Sequence, residues 1–195
     1  ENDLEVTSFS IDISKSATNA LVARNRILHF SMDAIRARGD DSVYEYNYVA
    51  NSYISDDNHD DFLQSWSTDA SGTVGAGVVR NVTVRGNVFI SQTSSAQPLQ
   101  KSPQGIGLFD GFFENWVIEN NVISSQTYHG ISIYGAINCK ITNNTVLENA
   151  VRGSTALKPW VRIYAHKNGT ASTGNLIRTH DLRAVEPRTA FSRTV

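Results

Sequence analysis

Trp116-Val117-Ile118-Glu119-Asn120-Asn121-Val122-Ile123, followed after a short gap by His129-Gly130-Ile131-Ser132-Ile133-Tyr134, decides how this chain reads. Apolar and polar residues alternate on both sides of Asn121 and again through the second block, which is the period of a half-buried β-strand. An asparagine between two such strands marks a corner. Working outward, the same pattern recurs as Ala23-Arg24-Asn25-Arg26-Ile27, Glu45-Tyr46-Asn47-Tyr48-Val49, Arg85-Gly86-Asn87-Val88-Phe89, Thr142-Asn143-Asn144-Thr145-Val146 and Thr173-Gly174-Asn175-Leu176-Ile177. Six residues before the central Asn stands Asn19, Asn81, Asn115 or Asn138 in most copies, Asp41 in another and Gly169 in the last.

Successive central asparagines are 22, 40, 34, 23 and 31 residues apart. A floor near 22 with irregular excess means one structural coil per repeat, with loops inserted into it. A second alternating block follows most corners: Ala34-Ile35-Arg36, Phe62-Leu63-Gln64, Gly105-Ile106-Gly107-Leu108, Gly130-Ile131-Ser132-Ile133 and Trp160-Val161-Arg162-Ile163. Nothing sustains helical spacing. The expectation is an all-β chain: a parallel β-helix of about six or seven coils over 1–177, with 178–195 an irregular tail or cap. Corners stacked ~4.8 Å apart let Asn amides bond to one another along the axis, and Asn tolerates the left-handed conformation of a sharp bend.

Composition narrows the function classes. With 17 basic and 19 acidic residues, the net charge of −2 argues against nucleic-acid binding led by bulk electrostatics. No apolar run approaches the ~18 residues of a membrane-spanning helix. The single cysteine, Cys139, excludes an internal disulfide framework and a multi-cysteine zinc site. The chain starts Glu1-Asn2-Asp3, as a processed or excised domain would, and a fragment of a longer protein is one reading of it; an extracellular or secreted location is the expectation. Uncapped ends would allow a monomer, end-to-end pairing or a trimer.

The repeat of apolar strand, Asn-Asn, apolar strand, loop and Gly-Ile-x-Ile resembles the right-handed parallel β-helix of the pectate-lyase-like superfamily. That resemblance implies the fold and a carbohydrate partner, but spans lyases, hydrolases, epimerases, tailspikes and adhesins. The long loops all flank the Gly-Ile-x-Ile strand, whereas the Asn corner is constant, so that strand face is the expected cleft. Alternation turns Arg36, Gln64, Gly107, Ser132 and Arg162 outward there, and two residues on Arg38, Trp66, Phe109, Tyr134 and Tyr164, an aromatic platform for sugar rings. Loops that covered these rings would instead make them a satellite cluster.

The densest polar run, Asp56-Asp57-Asn58-His59-Asp60-Asp61, enters the cleft strand. Crowded carboxylates demand protons, arginines or a cation, and Asp57, Asp60 and Asp61 suit Ca2+; a solvated acidic loop is the plainer alternative. His129 and Asp33 hold the place of Asp61 in their own coils, and His166 and Lys167 follow the last cleft strand. Asp33, Asp60-Asp61, His129-Gly130 and Arg162-Ile163 come in the order of the polygalacturonase motifs. Their departures are Ser31-Met32-Asp33, Tyr164 for a lysine, and an extra coil that moves His129 nearly 10 Å from the aspartates. Asp57-Asn58-His59-Asp60 is similar to the Asp-Pro-His-Asp motif of mannuronan epimerases, with Asn58 for Pro. Lyases and epimerases share a first step: neutralise the uronate carboxylate, then abstract the C5 proton. The expected catalytic set is therefore His59, Asp60, Asp61, Arg36, Arg162, His129 and Asp33. Gln64, Trp66, Phe109, Tyr134, Tyr164 and Lys158 would hold the polysaccharide. Cleavage of an acidic glycan by β-elimination leads. Hydrolysis, C5-epimerisation, or glycan binding alone by an adhesin or a tailspike on a virion surface are the alternatives.

Overall fold

The computed structural model describes residues 2–53, 59–97 and 100–178. Every regular element among them is a β-strand, and every pairing of those strands is parallel. Three six-stranded sheets run the length of the molecule. After each Asn corner the chain enters the first sheet (Asp3–Thr7, Arg26–Phe30, Tyr48–Ala50, Val88–Ile90, Val122–Ser125, Thr145–Glu148). It crosses a loop into the cleft sheet (Ile11–Ile13, Ile35–Ala37, Asp61–Trp66, Gln104–Asp110, His129–Tyr134, Trp160–Tyr164). It then closes the coil through the return sheet (Leu21–Ala23, Val43–Glu45, Thr83–Arg85, Val117–Glu119, Lys140–Thr142, Leu176–Arg178). This is the expected parallel β-helix.

A short fourth sheet of Val78–Arg80, Phe112–Glu114 and Ala136–Ile137 widens the middle coils. The chain turns into two of its strands at Gly111 and Gly135, both at positive φ; a Cβ on Gly135 would lie 2.6 Å from the Gly111 carbonyl oxygen.

The corner asparagines form a continuous ladder. Asn2 donates to Asn25, and then Asn25, Asn47, Asn87 and Asn121 each donate backbone N–H and side-chain Nδ2 to the Oδ1 of the next, ending at Asn144, all at 2.9–3.0 Å. Two details correct the sequence reading. The left-handed residue is the one before each ladder Asn (Arg24, Tyr46, Gly86, Asn120, Asn143), not the Asn itself. Asn175 stands outside the ladder: Leu176–Arg178 pairs with Lys140–Thr142, so Gly174 falls under Asn138 and Asn175 takes the backbone N–H of Cys139. The two corners share a local pattern, a left-handed residue followed by a strand, so Asn175 mimics the wrong one. The apparent break at Gly169 comes from the same slip. Asn2, missed in the sequence, is the rung that completes the series.

Inside the coil, Ile35, Leu63, Ile106, Ile131 and Val161 stack in register as the cleft sheet's inner face. Phe30, Phe62 and Phe89 stack beside them with centroids 6.0 and 5.4 Å apart. The core is thus built of like on like, one coil covering the next. The strand-like boundary of the sequence reading moves by one residue, since Arg178 is still paired; residues 179–195 lie outside the described residues.

Candidate functional site

The first strand positions of the cleft sheet put chemistry in a row. Asp61 pairs with Gln104, and its backbone N–H bonds Asp33 Oδ1 at 3.1 Å. Gln104 and His129 each stand two residues upstream of the paired Ile106 and Ile131, and His129 pairs with Trp160. The row is therefore Asp33, Asp61, Gln104, His129, Trp160. His129 is two strand spacings from Asp61, about 10 Å, as the extra coil requires. Gln104 was missed, although counting the Gly105-Ile106 block against Gly130-Ile131 places it in the row.

The aspartates lie beneath the surface. Asp61 has no exposed area; Oδ2 accepts from Gln64 Nε2 at 3.0 Å and Oδ1 has no hydrogen-bond partner among the described residues. Burial, and then the charge of Asp33, push its carboxyl well above the usual range. Gly107 makes room for it: a Cβ there would meet Asp61 Oδ1 at 2.3 Å and Phe109 Cε2 at 2.4 Å. Asp33, 4% exposed, is also raised by burial, against the pull of Arg36. Asp60 is held by Lys101 Nζ at 2.8 Å.

Of the expected calcium ligands, the described Asp60 and Asp61 are otherwise engaged. Asp60 already has its cation, the environment of Asp61 favours a bound proton, and no three metal-ligating side chains converge among the described residues. Asp57 lies outside the described residues. No step below uses a metal.

The cleft-face arginines are also engaged. Arg36 Nε bonds Asp33 Oδ2 at 2.8 Å, with its guanidinium 3.4 Å from the centroid of Phe9. Arg38 bonds Asp12 and lies 4.4 Å over Trp66. Arg162 is exposed and stacks on Tyr164 and Trp160 at 4.5 and 5.1 Å. Lys158 belongs to a separate exposed cluster with Glu148 and Ser154. The outward row Arg36, Gln64, Gly107, Ser132, Arg162 is in register as read from the sequence. The aromatic row is not. A bulge between Leu108 and Asp110 sets Asp110, not Phe109, opposite Trp66. Phe109 turns edge-on to Tyr134 and His129 at 5.8 and 5.1 Å, while Tyr134 and Tyr164 stack at 4.6 Å.

What the coil does present outward is an open groove of about 380 Å³ lined by His59, Gln64, Gln104, Phe109, His129 and Tyr134 together with Asp110 and Lys167. His129 Nδ1 is 2.9 Å from Ser132 Oγ, which also accepts from Trp160 Nε1 at 3.1 Å. Burial, and then the nearby His59, hold the His129 imidazole below its ordinary value, so its neutral form is favoured. Gln104 Oε1 is buried with no hydrogen-bond partner among the described residues. Lys167 reaches Asp110 at 2.6 Å.

The family model described as the right-handed beta helix region matches residues 5–177. The chain belongs to the right-handed β-helix family. Searches of curated proteins and of solved structures returned no match. In this β-helix, as described, no helix is long and apolar enough to cross a membrane. The family fixes the winding of the coil; the groove chemistry rests on the side chains above.

Proposed function

We propose that this β-helix binds a uronate-containing polysaccharide outside the cell and cleaves it by β-elimination in the groove beside His129. The observation that carries the reading is the convergence of amides, imidazoles and a phenol in one cavity: Gln64 and Gln104, His59 and His129, Tyr134. Amide hydrogens of Gln64 and Gln104 would bind the uronate carboxylate, drawing charge from C5 and acidifying its proton. In the tautomer whose Nδ1 donates to Ser132, His129 Nε2 carries the free lone pair and takes that proton. The C5 electron pair forms the C4–C5 double bond, the C4–O bond breaks, and the leaving oxygen takes the Tyr134 phenolic proton. Exchange with water then resets both groups. The uronate role thus passes from Arg36, tied to Asp33, to the glutamines. Asp33 and Asp61 act from below by holding Arg36 and Gln64 in place.

Ultraviolet absorbance near 235 nm reads the unsaturated uronate directly. Wild-type protein is expected to raise it on at least one polyuronate, and His129→Ala to lower the rate at least about a hundredfold, the scale of general-base loss. Because the His129 pKa is lowered, the acid limb of kcat/KM should fall below the ~6.5 of an ordinary histidine. New reducing ends without absorbance would indicate hydrolysis. Glycan binding without either would make the groove a recognition surface.

A further inference from the structure

Next to the groove is a slot of about 190 Å³ lined by Trp66 and Phe109 together with Gln64, Ser65, Val74 and Asp110. It shares Gln64, Phe109 and Asp110 with the groove, so rings in the two places would be neighbours on one chain. The slot's walls are aromatic and its charges are spoken for. Arg38 and Arg36, whose guanidiniums lie 4.4 and 5.3 Å from the centroid of the Trp66 ring, bond Asp12 at 3.0 Å and Asp33 at 2.8 Å; Lys167 bonds Asp110 at 2.6 Å. Among the described residues, the only ionisable side chain lining the slot is an acid, Asp110. A carboxylate pressed in would lose its hydration beside another carboxylate and gain no cation of its own. A ring without charge loses nothing of that kind. Its C–H face packs on Trp66, and a hydroxyl or acetamido group reaches the Gln64 amide.

Building on the elimination reading, we propose that the Trp66–Phe109 slot binds a non-anionic sugar ring, so that the substrate alternates a uronate with a neutral or N-acetylated sugar rather than being a homopolymer of uronates.

The test has two parts. Absorbance at 235 nm is followed on polygalacturonate and polymannuronate, and on hyaluronan and chondroitin, which alternate uronate with an N-acetylhexosamine. The expected result is at least tenfold higher kcat/KM on an alternating polymer, reduced about tenfold by Trp66→Ala, the scale of one lost aromatic contact. A homopolymer turned over as fast or faster would overturn the slot assignment while leaving the elimination reading intact. In parallel, tryptophan fluorescence is titrated with N-acetylglucosamine oligomers, which carry no uronate and are not substrates of an elimination. Quenching that disappears in Trp66→Ala supports the slot even if no polymer is cleaved, an outcome that would sink only the elimination. Absence of quenching, or quenching unchanged in Trp66→Ala, refutes the slot. Circular dichroism of Trp66→Ala confirms that its coil is intact.

Discussion

Asp61, expected from the sequence to be catalytic, has no exposed area in the fold. One carboxyl oxygen accepts from Gln64, which it orients, and the other has no hydrogen-bond partner among the described residues. Burial and the Asp33 charge raise its pKa, which means the folded chain binds the proton more tightly than the unfolded chain does. Asp61's contribution to stability is therefore complete below the ordinary aspartate value, ~3.9, and is lost as pH rises through the folded value. Asp61→Asn keeps the shape and removes the titration. The melting temperature of Asp61→Asn relative to wild type should climb as pH is raised from about 4 to about 7. Parallel curves would mean that Asp61 does not carry a raised pKa.

At the scale of the element, the Asn ladder ties successive coils together along the axis. Asn121 donates its backbone N–H and Nδ2 to Asn144 and Nδ2 again to the Val84 carbonyl, while accepting both donors of Asn87. Asn121→Ala strands these buried partners, and urea unfolding should show a loss of about 3 kcal/mol. Asn175→Ala, at the other corner, removes bonds to Cys139 N–H and the Ala136 carbonyl in a half-buried site. Its cost should be about 1 kcal/mol. Equal losses would contradict the placement of Asn175 outside the ladder. The ladder was legible because a repeat reports itself: Asn25, Asn47, Asn87, Asn121 and Asn144 all carry the same flanking alternation. Asn175 was misplaced because the neighbouring corner uses the same local chemistry, and no local pattern distinguishes one bend of the coil from the next.

Across the whole molecule, strand register was readable and side-chain commitment was not. The inward column from Ile35 to Val161 and the outward column from Arg36 to Arg162 follow from period two alone. Which outward residues stay available depends on their partners, some in other coils: Asp33 of the same coil occupies Arg36, while Asp12 occupies Arg38 and Lys101 occupies Asp60 from neighbouring coils. Those pairings join residues up to 41 positions apart, and the bulge that turns Phe109 away from Trp66 leaves no mark in composition. The outcome is a groove lined by amides, imidazoles, aromatic rings and the Asp110–Lys167 pair, while Asp33–Arg36 and Asp60–Lys101 pair their own charges. The most direct measurement is a crystal structure of the His129→Ala variant soaked with an unsaturated-end-free uronate oligosaccharide. The account predicts a uronate carboxylate against Gln64 and Gln104, with C5 facing position 129 and the C4 oxygen beside Tyr134. A chain bound on the first or return sheet, or a carboxylate held by Arg162 or Lys158 with the groove empty, would contradict it.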